Sequence, residues 1–381
     1  MKNIQKTDSF ITNKVSLNGS AVFIKKNAII ENYNIIQSKV SANTKIIPVI
    51  KNNAYGLTIQ LIVPVLLQCK VQEFFVANFF EACELQKFLQ THNVEYKIYV
   101  LLSFLPNQLD DFYQYGFIPV LNTKEEVLSY NQFAKAKKKS LCAVLQLETG
   151  MNRLGLCYED TLHIKNNIDS YLSNINIDFI MSHFACADVN NNPANLSQCN
   201  VFLQLQDNLP KTKYSLSASY GIFLDIPKFE DIIRPAIALY GGNPTPYKSN
   251  PMQNVIYFFS SILQIKKLKA GDKVGYGLTW MCDVDSEIAI VSIGYADGIL
   301  RNISQNAVCY IDNIPIKIVG RVSMDCISID ITHLPQHLKK IGQIVELIGD
   351  NLSLDDFAKQ SNTIHCEILN NLSVRYPRYV I

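Results

Sequence analysis

Through the first two-thirds of the chain, short runs of uniformly apolar residues alternate with stretches whose apolar positions recur every three or four residues. The runs are KIIPVI (45–50), EFFVA (73–77), YKIYVLL (96–102), GFIPVL (116–121), LCAVLQL (141–147), IDFIMS (177–182) and KYSLS (213–217), with a weaker eighth in DIIRPAIALYG (231–241). Stretches such as FFEACELQKFLQTHN and TKEEVLSYNQFAKAKKK, lying between them, carry the helical period. Strands that are apolar on both faces and alternate with helices predict a parallel sheet covered on both sides. Eight such units fit a (β/α)8 barrel, a TIM-type α/β fold, better than an open sheet, given the roughly 250 residues typical of that barrel.

After YGGNP the texture changes. SSILQIKKLKAGDKVGYG, SEIAIVSIGYADG, NAVCYIDNIPIKIVG and CISID alternate apolar with polar residues around Gly, Asp and Asn turns. That pattern predicts antiparallel strands with one wet face, and hence a second, β-rich domain. The expected division is 1–244 for the barrel, the first ~20 residues being free to join the later domain, and 245–381 for the β-rich C-terminal domain.

Composition narrows the functional classes. The chain has 381 residues, 48% of them hydrophobic, which is enough for two cores, and a net charge of +2 with no block of like charge. No basic stripe suggests nucleic acid or a membrane surface. Ten cysteines at irregular spacings, none in a CxxC pair, sit within apolar segments and read as reduced core residues, with no metal site expected. The start, MKNIQKTDSFITNK, lacks a signal-peptide core, and the longest apolar run, LIVPVLL, is broken by Pro64. A cytoplasmic protein is expected.

In a (β/α)8 barrel the chemistry lies where the strands end. The first run ends on Lys51, with Tyr55 beyond it; ETGMNRLGL carries Arg153 after the fifth; the sixth ends on His183; Ser219 follows the seventh; Arg234 lies in the eighth. Each has an ordinary reading: a lysine escaping to solvent, a hydrogen-bonded core histidine, a salt-bridging arginine, a serine helix cap. Together they set cations, a histidine and a hydroxyl on one rim with few carboxylates, which suits an anionic ligand.

VIKNNAYG, ETGMNRLG, MSHFACAD, IIRPAIALYGGNP, GDKVGYGLTW, SIGYADG and GRVSMD follow one another in an order and spacing that resembles bacterial alanine racemase over nearly the whole chain. The resemblance implies a pyridoxal 5'-phosphate enzyme that interconverts L- and D-alanine, supplying D-alanine for peptidoglycan. It implies that Lys51 forms the Schiff base with the cofactor, that Tyr55, Ser219 and the backbone amide of Ile237 hold the phosphate, and that His183 lies beside the ring. Arg234 would face the pyridine nitrogen; a permanently charged donor keeps that nitrogen unprotonated and makes the cofactor a weaker electron sink. Two bases are implied, Lys51 on one face of the α-carbon and Tyr276 from a second subunit on the other, hence a homodimer with shared sites. A phenol needs cationic neighbours to act as a base at neutral pH. Arg153 and the backbone around Met324 would meet the substrate carboxylate, and Tyr295 would line the entrance.

Several positions depart from the common pattern. Gln146 stands where several relatives carry a carbamylated lysine that steadies the arginine, and its amide could bond the Arg153 guanidinium without adding charge. Ala218 replaces an asparagine, Leu57 and Thr58 replace His-Gly, Ala236 replaces a glycine, and Val374 falls where some relatives have a pocket tyrosine, with Tyr376 nearby. The rival readings are a racemase of another small amino acid, a decarboxylase on the same scaffold, and a non-enzymatic cofactor-binding protein. Arg234 opposes the decarboxylase, whose relatives place an acidic group there, and the C-terminal domain with Tyr276 opposes the binding protein.

Overall fold

The computed structural model describes residues 2–227, 230–303 and 306–381, with side chains from Ser9 onward. A helix, Lys2–Asn18, leads into the first strand, β1 (Ser20–Ile24), which stays out of the parallel barrel and pairs with strands near the end of the chain.

The barrel is built from β2 (Lys45–Ile46), β3 (Glu73–Val76), β4 (Lys97–Val100), β5 (Ile118–Leu121), β6 (Leu141–Gln146), β7 (Ile175–Met181), β8 (Lys213–Ser215) and β9 (Ile232–Ile233). β3 through β8 form one parallel sheet and β2 pairs with β9. Two parallel bridges, Val49 to Phe75 and Ala218 to Arg234, join the pieces into a closed ring. Sheets this apolar must cover both faces, and they do: β3 and β5 are buried at every position. Two strands are shorter than their apolar runs. In 45–50, Pro48 has no N–H to give, so the ladder breaks after Ile46 and resumes through Phe75 N to Pro48 O and Ile50 N to Phe75 O, both 2.9 Å. In 231–241, Pro235 and the tight turn Ile237–Tyr240 end β9 after two residues.

Helix starts are fixed locally. Asn78 caps Phe79–Gln90 by accepting from Glu81 N, and Thr123 caps Lys124–Ala136 by accepting from Glu126 N. Each cap pairs a first-turn amide that the helix itself leaves without an acceptor.

The rest of the chain forms β10 (Ile256–Leu268), β11 (Lys273–Val274), β12 (Trp280–Met281), β13 (Ser286–Val291), β14 (Val308–Ile311), β15 (Ile314–Val319), β16 (Ile327–Asp330), β17 (Ile344–Ile348) and β18 (Arg378–Val380). The order β10-β13-β16-β15-β14-β17 returns to β10, so these antiparallel strands close a second barrel, with β1 and β18 added along β10. β10 is long enough to serve both sheets because it bends at register shifts near Phe258 and Ile262. β14 reads buried at alternate positions, as one dry face requires. Two helices without a counterpart in the hydrophobic alternation, Leu354–Gln360 and His365–Asn371, return the chain to the mouth of the first barrel. No described helix is long and apolar enough to cross a membrane. None of the ten cysteines, all of them described, is in a disulfide; Cys199, Cys282 and Cys309 are buried and the rest half-buried.

Candidate active site

At the strand C-termini of the first barrel lies a cavity of about 600 Å³, lined among others by Lys51, Tyr55, Arg153, His183, Ser219, Arg234 and Ile237. Seven of the residues singled out from the sequence therefore meet in one place. Three cations line it, and no carboxylate stands among its described lining residues. No group of described His, Cys, Asp or Glu residues could hold a metal ion.

Lys51 leaves the barrel on an unusual turn. Asn52, Asn53, Ala54 and Tyr55 all have φ between 50° and 57°, a run of left-handed backbone that costs roughly 1–2 kcal/mol per residue, less for asparagine. External bonds hold it: Asn52 N donates to Glu81 Oε1 (2.8 Å), Asn52 Nδ2 to Asn370 Oδ1 (2.9 Å), and Arg378 Nε to the Gly56 carbonyl (2.8 Å). The half-buried Lys51 amine is pulled below the ordinary lysine range, first by burial and then by the Arg153 charge. Tyr55 is buried against Tyr240, with ring centroids 5.3 Å apart.

Arg234 is fully enclosed. Its terminal nitrogens donate to Ser215 O (2.9 Å), Ser215 Oγ (2.6 Å), Ser182 O (2.5 Å) and Leu216 O (3.4 Å), which fixes the guanidinium plane. Burial lowers it to about 10, so it stays a cation at neutral pH. His183 lies among Arg234, Arg153 and Lys51; burial, then these charges, bring it down to about 3, and its imidazole is neutral. Gln198, buried, fixes the strand end by donating to the His183 carbonyl (3.0 Å). The Ser219 hydroxyl accepts from the amides of Ala236 (2.9 Å) and Ala238 (3.2 Å), tying the loops after β8 and β9 into one wall of amide and hydroxyl groups that includes Ile237.

Arg153 reaches the cavity from an exposed loop whose backbone is clasped by Glu148, which accepts from Gly150 N (2.5 Å) and Arg153 N (3.2 Å). Burial works against the Glu148 carboxylate, but the loop amides outweigh it and hold it below the usual range. Gln146 does not bond the guanidinium, as its amide could; Nε2 donates to the Leu154 carbonyl at 3.1 Å. The glutamine supports the loop backbone and leaves the arginine side chain alone.

Tyr276, Tyr295 and Met324 are not among the described lining residues. They lie on the C-terminal domain and are 65%, 40% and 51% exposed. Tyr295 N donates to Ser323 O (2.9 Å) and Ala296 N to Met324 O (3.0 Å), so Tyr295 and Met324 share one surface. Val374, 87% exposed, does not line the cavity, and Tyr376 donates to Ser292 O (3.0 Å). Sequence reasoning passed over Tyr220 and Cys366, which do line it. Tyr220 directly follows Ser219 in the chain, while Cys366 sits on a helix that no short pattern ties to the barrel.

Residues 24–244 match the family model described as alanine racemase, N-terminal domain, and residues 255–380 that described as alanine racemase, C-terminal domain. An alanine racemase of Rickettsia bellii is 37% identical over 330 residues, 86% of this chain and 80% of its own length. One from Brucella suis is 34% identical over 376 residues, 95% and 94% of the two chains. The crystal structure of alanine racemase from Bartonella henselae with covalently bound pyridoxal phosphate superposes with a TM-score of 0.89 at 34% identity, covering 95% of this chain and 99% of that one. With both halves matched and the cation-lined cavity at the mouth of the first barrel, the chain belongs to the alanine racemase family.

Proposed function

We propose that the protein interconverts L- and D-alanine with pyridoxal 5'-phosphate, and that its active unit is a homodimer. The observation that carries this reading is a cavity lined by Lys51, Arg153 and Arg234 with no carboxylate among its described lining. A phosphorylated aldehyde fits that donor set: Lys51 offers an amine with a weakened hold on its proton, and Ser219, Tyr55 and Ile237, with its backbone amide, line the same cavity. Bound there, the cofactor supplies an aldehyde for attachment and a ring that draws electrons from the α-carbon.

The protein's own groups do the rest. Arg234, locked by its bonds to Ser182, Ser215 and Leu216, presents only donors, and the neutral His183 packs without adding a charge. Arg153 attracts the substrate carboxylate. Lys51 holds or returns the α-proton on one face. On the other face that duty falls to Tyr276 of a second copy; within one chain Tyr276 is exposed and is not among the described residues that line the cavity. On the same domain, the backbone around Met324 would join Arg153 at the substrate carboxylate, and Tyr295 would line the entrance. The D-alanine made would serve peptidoglycan in the cytoplasm.

The test is to mix purified protein, pyridoxal phosphate and L-alanine and to follow the circular dichroism of the amino acid. Decay to zero, lost in Lys51→Ala and slowed by about 10²- to 10⁴-fold in Tyr276→Phe, supports the proposal. A persistent signal beside a Lys51-dependent absorbance band overturns alanine as the substrate.

A further inference from the structure

The wall that carries Ser219 also carries Tyr220, and behind Tyr220 lies a chain of hydrogen bonds that the reaction itself does not call for. The Tyr220 hydroxyl is 3.0 Å from His365 Nε2, and His365 Nδ1 is 3.0 Å from Asp355 Oδ1. Asp355 is anchored in turn, accepting from Asn243 N (3.1 Å) and Asn250 Nδ2 (3.0 Å). Tyr220 belongs to the barrel, whereas Asp355 and the buried His365 belong to the helices that return from the far end of the chain.

The hydrogen count decides what Tyr220 can offer. Burial disfavours charge on His365, but the Asp355 hydrogen bond, reinforced by Cys366, outweighs it and raises the imidazole from 6.5 to about 9. A protonated imidazole has a donor on each nitrogen and no acceptor. Nδ1–H is taken by Asp355, so Nε2–H donates to the Tyr220 oxygen. The phenol proton is then left to be donated elsewhere, and Tyr220 lines the cavity beside Ser219, Ile237 and Tyr55. Burial keeps Tyr220 protonated by pushing it above the usual phenol range.

We propose that Tyr220 donates a hydrogen bond to the phosphate monoester of the cofactor, and that His365 and Asp355 of the C-terminal domain are positioning residues that aim it. This rests on the cofactor assignment above. It makes the second domain part of the phosphate site.

The experiment titrates the cofactor-free protein separately with pyridoxal phosphate and with pyridoxal, which has the aldehyde but no phosphate, reading the Lys51-dependent absorbance band. Tyr220→Phe is expected to weaken pyridoxal phosphate by about 10- to 100-fold, the worth of a hydrogen bond to a charged group, and to leave pyridoxal unchanged. His365→Asn should lower the same ratio, whereas a merely structural role would lower both affinities together. An unchanged ratio in Tyr220→Phe, or an equal loss of both ligands, overturns the proposal while leaving the cofactor assignment standing. Wild-type protein that takes up neither ligand overturns the assignment and the proposal with it.

Discussion

A β-carbon on Gly56 would stand 2.5 Å from the carbonyl oxygen of Leu369. The turn that follows Lys51 is thus pressed against the helix His365–Asn371 of the C-terminal domain, and the glycine itself has φ +78°. Two independent demands, left-handed backbone and close approach, fall on one residue.

Gly56→Ala should therefore cost more than the roughly 1 kcal/mol of a strained φ alone, because the Leu369 backbone cannot step aside as a side chain could. The expected loss is about 2–4 kcal/mol, seen as a lower denaturant midpoint, with weaker uptake of cofactor at Lys51. A midpoint equal to wild type would show that the two domains do not clamp this turn.

Arg234 makes the opposite kind of prediction, one about groups left behind. Arg234→Gln deprives the Ser182 and Leu216 carbonyls of their donor inside a buried site, while Ser215 O keeps the Ser182 amide (3.0 Å). Orphaning buried acceptors costs about 1–3 kcal/mol, so the variant should lose at least about 2 kcal/mol of stability as well as racemisation. Full stability with lost activity would mean that water takes over both carbonyls.

These two sites show what the sequence could and could not reveal. Strand ends were readable because uniformly apolar runs stop where the chain leaves the barrel, so Lys51, His183 and Arg234 declared themselves by position. Local alternation likewise marked the β-rich half. It could not announce Leu354–Gln360, although Ser353, which caps that helix by accepting from Asp356 N, was a readable start signal. Nor could spacing pair Tyr220 with His365, since they lie 145 residues apart and neither is part of a periodic pattern. Gln146 was visible as a departure, but which partner its amide chooses depends on where the loop returns, and Leu154 O is nearer than any pattern could tell.

The Gln146 bond yields a prediction of its own. Support for the Arg153 loop here comes from Glu148 and from Gln146 to the Leu154 carbonyl, and neither requires carbamylation. Activity should be indifferent to bicarbonate. A rate that falls on thorough removal of carbon dioxide and recovers on its return would refute this.

Sharing of sites between subunits can be read from mixtures. If Lys51 and Tyr276 act from different chains, then Lys51→Ala and Tyr276→Phe, each nearly inactive, should complement on refolding together. Half of the dimers would be mixed, and each mixed dimer would hold one intact site of its two. About a quarter of wild-type activity is expected. Activity that stays at the level of the parents would mean that each chain completes its own site.

Histidines 183 and 365 should bend the stability of the cofactor-free protein in opposite directions. His365 binds its proton up to about 9 when folded, against 6.5 for an ordinary histidine. Between those values the native state holds more protons than the unfolded one, so stability is full below 6.5 and falls as pH rises towards 9. His183, brought down to about 3, is the reverse: the unfolded chain holds more protons between 3 and 6.5, and stability falls as pH drops through that window. Each gap corresponds to an upper bound on the order of 3 to 5 kcal/mol. Urea unfolding across pH should therefore peak near neutrality. His365→Asn should flatten the alkaline limb and leave the acid limb in place, and His183→Asn should do the converse. If His365→Asn keeps the full alkaline limb, the imidazole is not the cation that joins Asp355 to Tyr220.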